Sequence, residues 1–275
     1  MGRGDLTDAE WERLRPFLPV SNRRCGRWRD HRQVIDGILH RPRTGVHWCD
    51  LPERFGPWKT VHERHRLWSA DGTWGTGPIR RRPPGLKGGW ARGTPGRDAV
   101  AEPRRPPGEG GGGGEGLGRS RGGFTSKVHL SADGRCRPLS LVVTPGQRAD
   151  CTQFEPVLEK IRVPRTGPGR PRKTPDSVAA DKAYSSGPCR AYLRRRGIRH
   201  TIPEKADSQA ARLRKGSRGG CPPAFDEKRY KRRNTVERAI NKLKHARAVA
   251  TRYDKRGYVY LGAVAAAALV IWLRT

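Results

Sequence analysis

Negative charge is scarce in this sequence. Over 275 residues, 26 Asp and Glu face 58 Lys and Arg, a formal net charge of +32. That excess goes beyond what solubility needs and matches the electrostatic footprint of a phosphate-backbone binder, so nucleic acid is the expected partner. Cysteine is also sparse: six residues, Cys25, Cys49, Cys136, Cys151, Cys189 and Cys221, with no C-x-x-C pair. This fits a reducing, cytoplasmic setting. The opening "MGRGDLTDAEW" lacks the apolar core of a signal peptide. No apolar run reaches the roughly 18 residues that span a bilayer. The longest, Tyr258 to Leu273, is expected to be a buried core helix, and no membrane partner is expected. His47, Cys49, His62 and His65 lie near one another in the chain, but at spacings that fit no zinc pattern. A hydrophobic content of 33% with eight Trp supports a core in parts of the chain but not in all of it.

The first 74 residues read as helical. "LTDAEWERLRPFLP" offers Thr7 and Glu10 as a capping box, with Trp11, Leu14 and Leu18 on one face up to Pro19. A second helix carries Val34, Ile35, Ile38 and Leu39. A third follows Pro57, with Val61, Leu67 and Trp68 expected inward and Lys59, Arg64, His65 and Arg66 outward. Short helices with a basic last member suggest a helix-turn-helix-like DNA-binding domain, residues 1–74, with Lys59, Arg64 and Arg66 facing DNA. A plain helical bundle with a solvated basic face is the competing reading. From Gly75 to Leu117 the chain is mostly Gly, Pro, Arg and Glu, with neither strand nor helix periodicity. Such a segment buries too little apolar surface to offset its ordering entropy, and 75–117 is expected to be a disordered linker.

Regular patterning returns in 118–275. "FTSKVHLSA" alternates, Asp133 and Gly134 supply a turn, and "PLSLVVTPG" returns, which predicts a β-hairpin. A helix with Phe154, Val157, Leu158 and Ile161, a short strand at Ser177–Ala180, the helix "GPCRAYLRRRG", the strand "IRHTIP" and one long helix through Glu237 complete an α/β fold with a mixed sheet.

Asp181 falls at the carboxyl end of the Ser177–Ala180 strand, the edge of an α/β sheet where active sites gather. Glu237 borders the stripe of Val236, Ile240 and Leu243, so it can look along the same edge. The bland alternatives are Asp181 as a helix cap and Glu237 as a surface ion pair with Arg233. Tyr230, Arg233, Glu237 and Lys244 form Y-x2-R-x3-E-x6-K. With "LTDAEWERLRPFLP", "GRSRGGFTSKVHL", "LVVTPGQRAD", "ADKAYSS" and "ATRYDK", this spacing makes the chain resemble the DDE transposases of bacterial insertion sequences, of the insertion-sequence-five type.

The resemblance implies an RNase H-like mixed sheet and three carboxylates that hold two Mg²⁺ or Mn²⁺ ions. Its second Asp is Asp181 and its Glu is Glu237, both catalytic and metal-binding, with Tyr230, Arg233 and Lys244 as DNA-phosphate or helix-positioning neighbours. It also implies double-stranded DNA, element ends and target, as partner, a homo-oligomer on that DNA, and a cytoplasmic, nucleoid-associated protein. The family's first Asp lies on an apolar strand that is not apparent here. The linker stands in its place, and its composition is that of a GC-rich gene read out of frame. Asp98 is the only aspartate there, in a context of Gly and Pro that a strand does not tolerate. A copy inactive as written is therefore expected. A non-catalytic DNA-binding protein or repressor derived from a transposase is the alternative.

Overall fold

In the computed structural model the described residues are 4–19, 28–76, 115–120, 123–163, 170–231 and 233–275. Most of the expected linker, Asp98 included, lies outside them.

The capping box forms at α1 (Asp8–Leu14): Glu10 N–H donates to Thr7 Oγ1 at 3.2 Å, and Thr7 N–H donates to the Glu10 carboxylate at 2.8 Å. The helix does not reach Pro19. It gives way after Leu14 to a 3₁₀ turn at Arg15–Phe17, because Pro16 has no N–H to continue the ladder. Asp30 caps α2 (His31–Thr44), accepting from the N–H groups of Arg32 and Gln33, and Gly45, at φ 74°, ends it. Next come α3 (Trp58–Ala70) and α4 (Thr73–Thr76).

The inward face of α3 differs from the expected one. Val61, Arg64, His65 and Trp68 are buried, whereas Leu67 is 42% exposed. Arg64 is therefore not presented to solvent. Its guanidinium lies 3.9 Å over the Trp28 ring and 5.3 Å over Trp68, and Nη1 is 3.2 Å from His31 Nδ1. The aromatic slot and the long aliphatic stem let an arginine take a core position.

In the second half, β1 (Gly118–Ser120), β2 (Gly123–Ala132) and β3 (Pro138–Pro145) form an antiparallel sheet in that order. The expected hairpin is β2 and β3, with Val128 opposite Val143 and Leu130 opposite Leu141. Its turn is held by the Asp133 carboxylate, which accepts from the N–H groups of Arg135 and Arg137 and from the Arg137 guanidinium. After α5 (Phe154–Glu159), β4 (Ser177–Ala179) pairs in parallel with β5 (Arg199–Thr201) across α6 (Gly187–Arg195). The expected single mixed sheet is thus two sheets of three and two strands, since no described strand lies between β2 and β4.

Then follow α7 (Ala206–Arg214), α8 (Glu227–Lys231), α9 (Asn234–Lys244), α10 (Arg247–Ala250) and α11 (Gly257–Leu273). The long helix expected through Glu237 breaks between α8 and α9, where Arg233 N–H bonds the Tyr230 carbonyl in a tighter i→i−3 turn. Arg229 and Arg233 would stand as like charges four apart on a continuous helix, which disfavours it.

The apolar tail is buried on nearly every side as α11. Among the described residues no helix is long and apolar enough to cross a membrane. Ala265, Ala266, Leu269 and Leu273 complete the core of the N-terminal helices around Trp68, while Tyr260, Val264, Ala268 and Ile271 pack with Leu243, Val128 and Leu141 under the antiparallel sheet. A third cluster joins α5 and α6 to the parallel pair. The buried Arg41–Asp254 ion pair, 2.9 Å, ties α2 to the segment before α11.

Candidate active site

The site begins where β4 ends. Just past it, Asp181 accepts from Lys182 N–H at 2.7 Å and so caps a 3₁₀ turn at Lys182–Tyr184. The capping role weighed for it from the sequence is real, and its carboxylate serves a second contact as well. The break before α9 frees Arg233 to lie between the two acidic side chains. Its Nη1 is 3.5 Å from Asp181 Oδ1, and Nη2 donates to Glu237 Oε1 at 2.9 Å. Beneath, the Tyr230 ring supports the guanidinium at 5.0 Å and itself packs on Phe225. Three of the four signature residues are therefore one assembly: an aromatic platform, a cation and a carboxylate, with Asp181 delivered from the sheet. Lys244, exposed, follows Glu237 by seven residues, so it stands on the same face of α9 about 10.5 Å further along.

Both carboxylates are about half exposed, while Arg233 keeps a quarter of its side-chain surface. Beside them opens a cavity of about 400 Å³ lined by β2, β4, α5 and the start of α9. Burial, with help from the Asp150 and Asp181 carboxylates, pushes the Tyr184 phenol up to about 12, so it stays neutral next to Asp181.

Residues 6–76 match the family model described as "Putative transposase of IS4/5 family". Residues 96–272, more than half of the chain, match the model described as "Transposase DDE domain". The chain belongs to the DDE transposases of insertion sequences. Among similar proteins, the "Putative transposase for insertion sequence element IS6501" of Brucella ovis is 30% identical over 151 residues, 55% of this chain and 100% of that protein. The "Putative transposase for insertion sequence element IS402" of Burkholderia cepacia is 32% identical over 135 residues, 49% of this chain and 56% of that protein. "Uncharacterized protein y4sN" of Sinorhizobium fredii is 38% identical over 64 residues, 23% of this chain and 51% of that protein. The chain thus spans all of the first relative and about half the length of the other two. No solved structure matches significantly.

For a DDE transposase an RNase H-like fold is implied, and the observed mixture of helices and short sheets is consistent with it. DDE transposases act on DNA and normally use divalent metal. Two carboxylates turned toward one shared cation are a hard oxygen donor set of the kind Mg²⁺ takes. Among the described residues no group of three His, Cys, Asp or Glu is placed to hold a metal ion. The DDE match starts at residue 96, inside the segment expected to be a linker and two residues before Asp98.

Of the residues expected to face DNA, Lys59 and Arg66 are exposed on α3 and Arg64 is buried. Two residues had no role assigned from the sequence. Arg238, exposed and without an ion pair among the described residues, lines the cavity beside Glu237. Arg252, in the "ATRYDK" block, donates to the carbonyls of Glu115, Gly116, Asp254 and Lys255, and so holds the chain's entry into β1 against the start of α11. Its partners at Glu115 and Gly116 are more than 130 positions away, beyond the reach of local spacing.

Proposed function

We propose that the chain recognises the terminal inverted repeats of its element through the helical region, residues 1–74, and that residues 118–275 carry the strand-cleavage and transfer site at Asp181 and Glu237. The observation that carries this reading is Arg233 held between those two carboxylates on the Tyr230 platform. A guanidinium in that position marks a point where two acidic groups converge and where positive charge is favoured. Asp181 and Glu237 would hold a divalent ion there, Mg²⁺ or Mn²⁺, of the two that in-line phosphoryl transfer employs. Such ions activate the attacking oxygen and neutralise the leaving 3′ oxygen. Arg233, displaced toward the DNA, and Lys244 along the same helix face would fix phosphates, while Lys59 and Arg66 on α3 would contact the duplex backbone. A homo-oligomer assembled on DNA in the cytoplasm is part of the same reading.

With the two acidic ligands that the described residues supply, one ion would be well held and the second poorly. Catalysis by this copy is therefore expected to be weak. The test incubates purified protein with end-labelled terminal repeat DNA and Mg²⁺. Residual nicking should be lost on Glu237→Gln with DNA binding intact. Specific binding with no nicking in either protein would favour a non-catalytic repressor, and nicking indifferent to Glu237→Gln would remove this residue from the site.

A further inference from the structure

Between α10 and α11 the backbone is pinned on both sides of one residue. Arg252 donates to the carbonyls of Asp254 at 2.9 Å and Lys255 at 3.0 Å, so its guanidinium closes the turn from within. The Asp254 side chain, 7% exposed, is held by the buried Arg41. At the far end the Glu115 carboxylate accepts from Arg256 and from Gly257 N–H. Inside these anchors the Tyr253 ring is 51% exposed and makes no hydrogen bond or ring contact among the described residues. Tyr258, just past Gly257, is exposed too. Lys255 stands in solvent with no ion pair among the described residues. One scattered exposed aromatic needs no explanation, but two rings on a tightly held, basic turn are a surface whose ordering cost has been met before anything binds.

We propose that the Tyr253–Tyr258 turn binds single-stranded nucleic acid, with an unpaired base stacked on the Tyr253 ring and a neighbouring phosphate on Lys255. The one acid of the turn, Asp254, is neutralised by Arg41, so the surface offers an aromatic face beside uncompensated positive charge. A ligand that answers both must carry flat π-faces and negative charge in alternation, and every nucleotide of a single strand does. Duplex DNA answers only half, because its base faces are stacked on one another and its phosphates alone are presented. The ligand is therefore an unpaired stretch and not the duplex assigned to α3. This inference goes beyond the cleavage reading and uses neither Asp181 nor Glu237.

The experiment titrates the full chain with a short fluorescent oligo-dT strand and with an abasic strand of the same length, at raised salt, where phosphate contacts weaken and stacking does not. The two strands carry the same phosphates, so the gap between their affinities reads the bases alone. Tyr253→Ala should narrow that gap by roughly ten-fold, the scale of one base–aromatic stack, with the melting temperature unchanged. Tyr253→Phe, which keeps the ring, should preserve the gap. Lys255→Ala should weaken both strands alike and lower the salt slope by about 0.7, as one single-strand phosphate contact does. Equal affinity for the two strands overturns the proposal, and so does a Tyr253→Phe protein that behaves like Tyr253→Ala. A gap untouched by Tyr253→Ala also overturns it and leaves the ring to a protein partner. None of these readouts involves metal or cleavage, so failure here leaves the Glu237→Gln nicking test standing, and the reverse holds too.

Discussion

On α3, Arg64 lays its guanidinium between Trp28 and Trp68 while Arg66, two residues on, stands in solvent. The two arginines should separate cleanly on mutation. Arg64→Ala removes a desolvated cation–π contact of about 2 kcal/mol and leaves a hole between indoles, so thermal unfolding should move down by several degrees. Arg66→Ala should leave the melting temperature alone and lower the salt slope of DNA binding by about one. An Arg64→Ala protein that melts normally but binds DNA poorly would return Arg64 to the recognition surface. His65, one position beyond Arg64, is fully buried, and burial together with the nearby Arg41 charge lowers its pKa from 6.5 to about 3. The folded state therefore keeps the ring neutral while the unfolded state takes up a proton, so the stability present above pH 6.5 is lost as pH falls toward 3. His31, His40, His62 and His129 are shifted down by burial too and act in the same direction. Replacing His65 by Phe should narrow the stability difference between pH 7 and pH 5 by roughly 2 kcal/mol, measured by denaturant unfolding. An unchanged difference would mean that the ring is protonated in place.

At the scale of elements, α11 is the piece on which the arrangement turns, because it serves two cores at once. Gly262 lets it approach α3 closely: a Cβ there would lie 1.9 Å from Ser69 Oγ and 2.8 Å from Ser69 Cβ. Gly262→Val should therefore push the helices apart and cost about 1 to 3 kcal/mol, the usual range for overpacking, read as a shift in the denaturant midpoint. No loss of stability would mean that the helical region is only loosely seated. The apolar tail identified this helix from sequence, since a run without a polar face is buried all round. What it packs against was not legible, because Leu6, Trp68 and Leu269 are brought together by tertiary contact alone. The β2–β3 hairpin was legible from alternation and a DGR turn, which are local. The inward face of α3 was not, since periodicity fits Arg64 or Leu67 equally well at the edge of the stripe and only the Trp28 and Trp68 rings decide between them. At the site, Tyr230, Arg233 and Glu237 of Y-x2-R-x3-E-x6-K lie in contact, as helical spacing in the sequence allows, while their role in DNA cleavage rests on the proposed function. The break that aims Arg233 at Asp181 depends on a turn that the charge run conceals.

The whole molecule unites a strongly basic chain with a site to which the described residues bring two acidic side chains, Asp181 and Glu237. Asp181 and Glu237 line one groove between β2 and β4, and among the described residues no group of three His, Cys, Asp or Glu is placed to hold a metal ion. In-line transfer needs charge compensation at both the entering and the leaving oxygen, so a second, weakly held ion leaves the transition state exposed. Grafting an apolar strand that closes on Asp in place of residues 77–114 should supply a strand and an acidic ligand beside Asp181 and Glu237. The graft stops short of Glu115 because that side chain accepts from Gly257 N–H at 2.6 Å and from Arg256 at 2.7 Å, contacts that anchor the entry into β1. Mg²⁺-dependent nicking of terminal repeat DNA should rise by at least ten-fold, and the rise should vanish when the grafted Asp is changed to Asn or when Glu237 becomes Gln. Asp98→Ala in the original chain should leave its weak activity as it was. Efficient strand transfer by the original chain, lost on Asp98→Ala, would instead assign the third ligand to Asp98 and show that the segment around it, where the DDE match begins, supplies the strand itself.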